Sequence, residues 1–448
     1  MAAAKRMIEP APFYGELFAR ERARLPGSGR AELERVRQEA FARFVTLGLP
    51  TQKAEAWKYS PIARLANREM DLARPAAPRL EEVSTWFGGG PTARRLIFVN
   101  GHLVPGLSHV GGLPRGVRVM GLARAIEEMP EKVAEALAGC DRDRSFSQLN
   151  AALTESGAWI EIADGVRLEE PLQLLFVHQG ADSAVMTHPR ILLRLGEGAR
   201  LHLLETHAGT GSGHCFVNLV CQMELADRAE LRFDRLQLGA PGTSLLGRSV
   251  MRMGAGTRLK QTAIALGGGF LRNETELDLC GEQGEAILGG LYMPRGEEHV
   301  DTLIRIHHRA ENCHSDQFYK GVVEDRARAA FAGKIIVHRG AQKTNAYQAN
   351  NNLLLSDRAE VDSKPELEIY ADDVRCSHGA TCGDLDTAAL FYLRSRGLPR
   401  EVASSLLVYA FANEVIERMA DARLQAVTRR AVLDRIPGGA ALEAEGLL

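Results

Sequence analysis

Ala199-Arg200-Leu201, Ala229-Glu230-Leu231, Thr257-Arg258-Leu259 and Glu285-Ala286-Ile287 recur at intervals of 30, 28 and 28 residues, after turn glycines or aspartates. Ala359-Glu360-Val361 repeats the pattern after a longer insertion. From Trp159 onward, short segments carry β-branched residues and leucine at every second position and are separated by Gly, Asp and Pro. A period of two belongs to strands, not helices. A strand repeat of this length cannot bury its apolar face alone and has to stack on its neighbours. β-Helices and propellers do this. The repeat lacks four well-separated strands and a Trp-Asp signature, which favours a parallel β-helix, with an irregular sandwich as the alternative.

Helical periodicity flanks the strands on both sides. Over residues 30–48, Leu33, Val36, Ala40, Phe41, Phe44 and Leu47 recur at three- and four-residue steps and stop at Gly48, with Pro50 beyond. A second helical stretch covers residues 122–138, after a β-like piece at 95–103 that turns on Asn100-Gly101. Past Gly383, Asp386 is placed to cap a helix bearing Ala389, Leu390 and Leu393 and closing at Gly397. Pro399 opens another, with Val402, Leu406, Tyr409, Ala410 and Ile416 on its inner face. That apolar stripe either caps the strand stack or docks a partner. The expected domains are therefore a mainly helical 1–150, a β-core 151–383 and a helical 384–448.

Composition narrows the function. The chain has 448 residues, 45% hydrophobic and 25% charged, enough apolar material for a large core. Fifty-five basic against fifty-seven acidic residues leave no field for a polyanion, so neither nucleic acid nor a membrane surface is expected as partner. Residues 1–10 carry no signal-type apolar run, and seven scattered cysteines without a C-x-x-C pair fit free thiols in a reducing cytosol, so a cytoplasmic location is expected. No phosphate loop is present, since Gly333-Lys334 is followed by Ile335, and neither G-x-S-x-G nor H-E-x-x-H occurs. The glycine-rich 209–213 reads as a loop, because no helix opens after it.

Two regions concentrate reactive side chains. Between 299 and 316, His299, Asp301, His307, His308, His314 and Asp316 form either a divalent-ion site or a hydrogen-bonded ladder between strands. In 366–384, ELEIYADDVRCSHGATCGD, alternation puts Cys376 and His378 on one strand face with Cα atoms about 7 Å apart. A thiolate beside an imidazolium has a lowered pKa and is a better soft-metal ligand or nucleophile, and neutral imidazole holds iron or zinc. The plain alternative is a half-buried cysteine and a satisfied histidine at a domain junction.

Phe318-Tyr319-Lys320-Gly321, Ala341-Gln342-Lys343-Thr344, Asn350-Asn351-Asn352-Leu353-Leu354-Leu355-Ser356, KPELEIYADDVRCSHGATCG at 364–383 and Leu390-Phe391-Tyr392-Leu393-Arg394-Ser395-Arg396-Gly397 resemble the SufB/SufD family of SUF iron–sulfur cluster assembly proteins. Glu55-Ala56-Trp57-Lys58-Tyr59 is similar to its N-terminal signature. CSHG matches the SufD branch, since SufB carries an acidic residue before its histidine. The resemblance implies a right-handed parallel β-helix between helical N- and C-terminal domains, and a non-catalytic scaffold that pairs with SufB through the β-helix. It further implies that the ATPase SufC docks on the C-terminal helices. It also implies that Cys376 and His378 lie at the interface where a transient Fe–S cluster forms, with His378 the stronger candidate. Two ligands of the four that such clusters normally take leave the rest to another chain or a small thiol. Cys382 lies on the same nominal face. Reduced flavin is associated with the family's complex, but these residues mark no flavin site. The isolated chain as a homodimer remains open. The competing functions are an ATPase-docking subunit without ligands and a β-helix enzyme acting on polysaccharide.

Overall fold

The computed structural model describes residues 6–444 apart from 77, 91, 140, 180–182 and 212, so Cys140, Ser212 and the two chain ends lie outside the described residues. Apart from the short Val185–Thr187, which joins the first sheet, strands from residue 157 onward alternate between two sheets and build a parallel β-solenoid of about seven turns. In the first sheet, Gly157–Ile162, Arg190–Leu195, Cys215–Leu225, Thr243–Met253, Phe270–Leu279, His299–His308, Arg328–Val337 and Glu360–Ile369 lie side by side in that order. In the second, Leu172–Gln179, Arg200–Thr210, Glu230–Gly239, Arg258–Gly267, Glu285–Tyr292, His314–Val323, Thr344–Leu354 and Val374–Gly383 do the same.

The register confirms the repeat and corrects it in two places. Arg200 faces Glu230 and Leu201 faces Leu231, then Glu230 faces Arg258, as the tripeptides require. Leu259, however, pairs with Ala286 rather than Ile287, so that rung is one residue shorter than the chemical similarity suggests. A slip of one residue turns a strand over, and Ala286 is accordingly the buried residue while Ile287 is half-buried. Glu360 pairs with Arg328 in the first sheet, so the last tripeptide belongs to the opposite wall from the others. The turn signals have a physical basis: Asp164 accepts from the Glu197 amide at 2.8 Å and Asp227 from the Ala255 amide at 2.8 Å, each side chain locking its turn to the next rung.

Alternation divides each strand between the lumen and an outer face. Leu201, Leu203, Leu231, Leu259, Leu277, Ile304 and Phe331 fill the lumen. The helices cover the outer faces. Ala31–Leu47 ends at Gly48 with φ 72°, the left-handed conformation that its sequence position called for. The stretch at 122–138 is two helices, Leu122–Glu128 and Pro130–Gly139, because Pro130 excludes Met129 from helical geometry. Ser145–Leu153 is buried along its whole length, and Phe146 and Leu149 share a cluster with Phe44, Phe216 and Leu246 that joins the N-terminal helices to the first sheet.

At the other side, Thr387–Ser395 is capped by Asp386, which accepts from Ala388 N at 2.8 Å and Ala389 N at 3.3 Å. Arg400–Ile416 follows, and Ala422–Leu433 and Gly439–Ala444 are two helices that the pattern did not reveal. Val402, Tyr409 and Ile416 are buried as expected, whereas Ala410 is exposed. The apolar faces of Arg400–Ile416 and Ala422–Leu433 pack on Leu204, Leu236, Ile264, Leu291 and Val322 of the second sheet, so these helices lie along the side of the stack instead of over its end.

The two ends of the solenoid differ. At the N-terminal end, Val117–Gly121 pairs antiparallel with Gly157–Ile162, and Arg94–Val99 lies beside Leu172–Gln179. Strands from the first 150 residues therefore close both walls there. At the C-terminal end, Glu360–Ile369 and Val374–Gly383 each have a neighbour on one side only.

Candidate functional site

Val374–Gly383 pairs in unbroken parallel register with Thr344–Leu354: Ala346 opposite Cys376, Gln348 opposite His378, Asn350 opposite Ala380 and Asn352 opposite Cys382. Ala346, Gln348, Asn350 and Asn352 are the buried, lumen-facing residues of their strand. Cys376, His378 and Cys382 thus continue the lumen wall by one rung, and no later rung among the described residues covers them. Cys376 is half-buried against the cluster of Ile335, Val337, Ala341, Ala346 and Ala371, while His378 and Cys382 are exposed. Gly379 does not interrupt the strand, so the shared face of Cys376 and Cys382 holds. Across the lumen, Val361, Ser363, Pro365 and Leu367 of Glu360–Ile369 follow Ala329, Phe331, Gly333 and Ile335 in register.

The expected lowering of the Cys376 thiol is not found. Burial pushes it above its usual value, only partly opposed by the Ala346 backbone hydrogen bond, and burial together with Asp384 does the same for Cys382. Both thiols therefore stay protonated in the free chain near neutrality, and a metal or a partner has to draw the proton off.

Beneath this row the lumen is polar in two columns of opposite character. Asn350 Nδ2 donates to Tyr292 Oη at 2.9 Å, Tyr292 Oη donates to Asn352 Oδ1 at 2.6 Å, and Asn352 Nδ2 donates to Asn350 Oδ1 at 2.9 Å. Ser363 Oγ donates to Asn350 Oδ1 at 2.8 Å and so ties the two walls together. Asn350 and Asn352 are therefore a floor under Ala380 and Cys382. Under His378 the column is Gln348 and then Gln317, and neither amide has a hydrogen-bond partner.

The 299–316 region is a ladder. Asp301 is buried and paired with Arg272 and Ser60, His308 Nε2 is 2.9 Å from Ser315 Oγ, His314 Nδ1 is 3.1 Å from the Asn345 carbonyl, and His307 stacks on His338. His299 and Asp301 share a face, but Asp301 is already neutralised, and among the described residues no three metal-type ligands converge.

Pattern reading missed a clasp that holds the N-terminal signature in place. Arg272, 1% exposed, sits 2.7 Å from Glu274, donates to the Ala56 carbonyl at 2.6 Å, and lies 4.0 Å from the Trp57 ring. Lys364, on the last strand of the first sheet, bonds Glu55 at 2.8 Å. The Glu55-Ala56-Trp57 signature is thus tied to the outer face of the rungs that lead to the open end. Deep in the lumen, Arg235 Nε contacts Glu205 at 2.6 Å, with His207 at 2.9 Å on the same carboxylate. Burial drives the Glu205 carboxyl up, Arg235 and His207 outweigh it, and the group is held at about 2. The neighbouring Cys221 thiol is pushed far up by burial and is inert.

Gly209 and Thr210 end strand Arg200–Thr210, and the next described element is strand Cys215–Leu225, so no dinucleotide-type helix opens there among the described residues. No helix among the described residues is long and apolar enough to cross a membrane. Apart from Val45 and Leu80 in the N-terminal region, the large exposed apolar side chains among the described residues are Tyr347, Ile369, Tyr370, Phe391 and Tyr392, near the open end and on its adjoining helix, with Phe391 74% exposed.

Residues 176–411 match the model of the SUF system FeS cluster assembly SufBD core domain, and residues 9–174 match that of the SufBD protein N-terminal region. The chain is 33% identical to the iron–sulfur cluster assembly protein SufD of Escherichia coli, over 90% of this chain and 93% of that protein. It is 29% identical to an iron–sulfur cluster assembly SufBD family protein of Synechocystis, over 92% and 93%. With the SufD of Bacillus subtilis the identity is 27%, over 62% and 63%.

Proposed function

The chain belongs to the SufBD family and is a subunit of the SUF iron–sulfur cluster assembly system, and from that premise we propose that its last rung is half of a cluster-forming seam completed by SufB. One observation carries the reading: among the described residues both walls of the solenoid end in strands paired on one side only, and the lumen-facing row on one of them presents Cys376 and His378. Edge strands ten residues long are templates for another chain, and natural proteins cover or blunt them. A second β-helix stacked end-on would pair their free N–H and C=O groups and bury Cys376 and His378 at the junction. The same edges would let two copies of the isolated chain pair as a homodimer.

Ligand counting sets the division of labour. Cys376 and His378 offer two donors, imidazole substitutes for thiolate at iron, and the partner supplies the remainder of the usual four. Burial holds the Cys376 thiol up, so its proton has to leave before the sulfur can ligate. The cluster is cargo: it forms across the seam and leaves. This subunit acts as a non-catalytic scaffold, with ATP hydrolysis residing in SufC.

SufC docks on the C-terminal helices. Thr387–Ser395 has no fully buried side chain and exposes Phe391 and Tyr392, an apolar surface open to a partner. A purely structural version, in which the subunit holds SufC while Cys376 and His378 do nothing, makes a different prediction. In reconstituted complexes, His378→Ala should leave assembly with SufB and SufC intact and abolish cluster formation. Wild-type cluster formation by an intact His378→Ala complex would favour the structural version.

A further inference from the structure

Two polar columns rise through the lumen to the last rung, and only one is closed. The Asn350–Asn352–Tyr292 column satisfies its amides internally and through Ser363. Gln348 is 3% exposed and Gln317 is fully buried, yet the oxygen and nitrogen of both side chains lack partners. A buried amide left unmatched is destabilising, and well-packed interiors leave few of them. The position is nevertheless tightly shaped. Gly333, on the facing wall, would bring a Cβ to 1.9 Å from Gln348 Nε2, so the amide occupies a notch that only glycine leaves. One rung further, the same wall positions carry Pro365 and His378. Pro365 has no N–H to offer, so His378 is the polar group that the column meets as it continues upward.

We propose that Gln348 is the positioning residue for His378: its amide hydrogen-bonds one ring nitrogen from the rung below and leaves the other nitrogen aimed out of the open end. Histidines that bind metal ordinarily donate their second ring N–H to an oxygen, which fixes the tautomer and the ring plane and raises the basicity of the ligating nitrogen. In the free chain His378 stands in solvent and the Gln348 amide is unmatched. When a second protein covers the rung, the ring moves over the lumen and the two polar groups satisfy each other. Gln317, in the same column, backs Gln348 from beneath. The inference deepens the reading of His378 as a ligand and rests on it.

The test uses the chain assembled with SufB and SufC and Co²⁺ as the probe, followed by its ligand-field absorption, in wild type, His378→Ala, Gln348→Met, Gln348→Leu and Gln348→Glu. Loss of an outer-shell partner weakens metal binding about 10–100-fold, so Gln348→Met and Gln348→Leu should weaken Co²⁺ by that factor and shift its spectrum. Gln348→Glu, which keeps an oxygen acceptor, should restore affinity. Melting temperatures of Gln348→Met at or above wild type show that the loss is not unfolding, since an unmatched amide has been removed; where Gln348→Leu packs poorly, Gln348→Met carries the test. If His378→Ala weakens Co²⁺ while Gln348→Met does not, or if Gln348→Glu binds as poorly as Gln348→Met, Gln348 has no such role and His378 keeps its own. If His378→Ala itself leaves Co²⁺ unchanged, the ligand assignment falls and this inference falls with it.

Discussion

Replacing Arg272 by Met should release the N-terminal signature from the solenoid, and the size of the effect follows from its contacts. The guanidinium pairs with Asp301 and Glu274, reaches Ser60 Oγ at 3.3 Å, and carries the Trp57 ring. Burial is what makes these partners matter: Asp301 is 3% and Glu274 6% exposed. Removing one partner of a buried ion pair costs about 3–5 kcal/mol, because the other charge stays behind unmatched. Glu274 retains Arg248 at 3.3 Å, which places Arg272→Met near the lower end, about 3 kcal/mol. Asp301→Asn alone should cost about 1–2 kcal/mol, since Arg272 keeps Glu274. In the Arg272→Met background Asp301→Asn removes the stranded charge, so the double variant should be about 2 kcal/mol better than the sum of the singles. Urea unfolding followed by far-UV circular dichroism and by Trp57 fluorescence reads all four states. Costs that add to within about 0.5 kcal/mol would refute the clasp as a coupled unit.

Glu155 gives a pH signature. Burial, reinforced by Glu21, raises its carboxyl from 4.5 to about 7. The folded chain therefore binds this proton more tightly than the unfolded one, and the associated stability is complete below about pH 4.5 and lost as pH rises through about 7. Glu155→Gln should be more stable than wild type by about 3 kcal/mol at pH 8 and no more stable at pH 4, as melting curves at the two pH values will show. Phe391→Ser with Tyr392→Ser should leave stability within about 0.5 kcal/mol, since neither side chain is buried, and should abolish retention of SufC in affinity capture. Asp386→Ala removes two capping bonds and should loosen Thr387–Ser395 by about 1 kcal/mol, seen as faster amide exchange confined to that helix.

Alternation and repeat length made the solenoid legible, because strands that cannot bury a face alone must stack whatever their detailed register. The register itself was less legible. Tripeptides that look alike chemically need not face one another, and Ile287 stands outside while Ala286 lies inside because turn lengths, not side-chain types, set the step. Each rung also contributes a strand to both walls, so Ala359-Glu360-Val361 resembled the second-sheet tripeptides while lying in the first. Pro365 could have marked its strand as terminal, since a proline inside a strand is tolerated at an edge. That Cys376 and His378 share a face followed from spacing alone. That this face is the lumen required the pairing with Ala346 and Gln348, and the direction of the Cys376 shift required its burial. The Ser60–Asp301 contact spans 241 residues, beyond any local pattern.

Pulsed EPR on the assembled complex, with ¹⁵N-histidine confined to this chain and a cluster formed and reduced in place, reads directly whether His378 touches iron. The scaffold reading predicts a ¹⁵N hyperfine coupling that vanishes in His378→Ala while the complex stays whole. A cluster that forms normally and shows no ¹⁵N coupling from this subunit would contradict it.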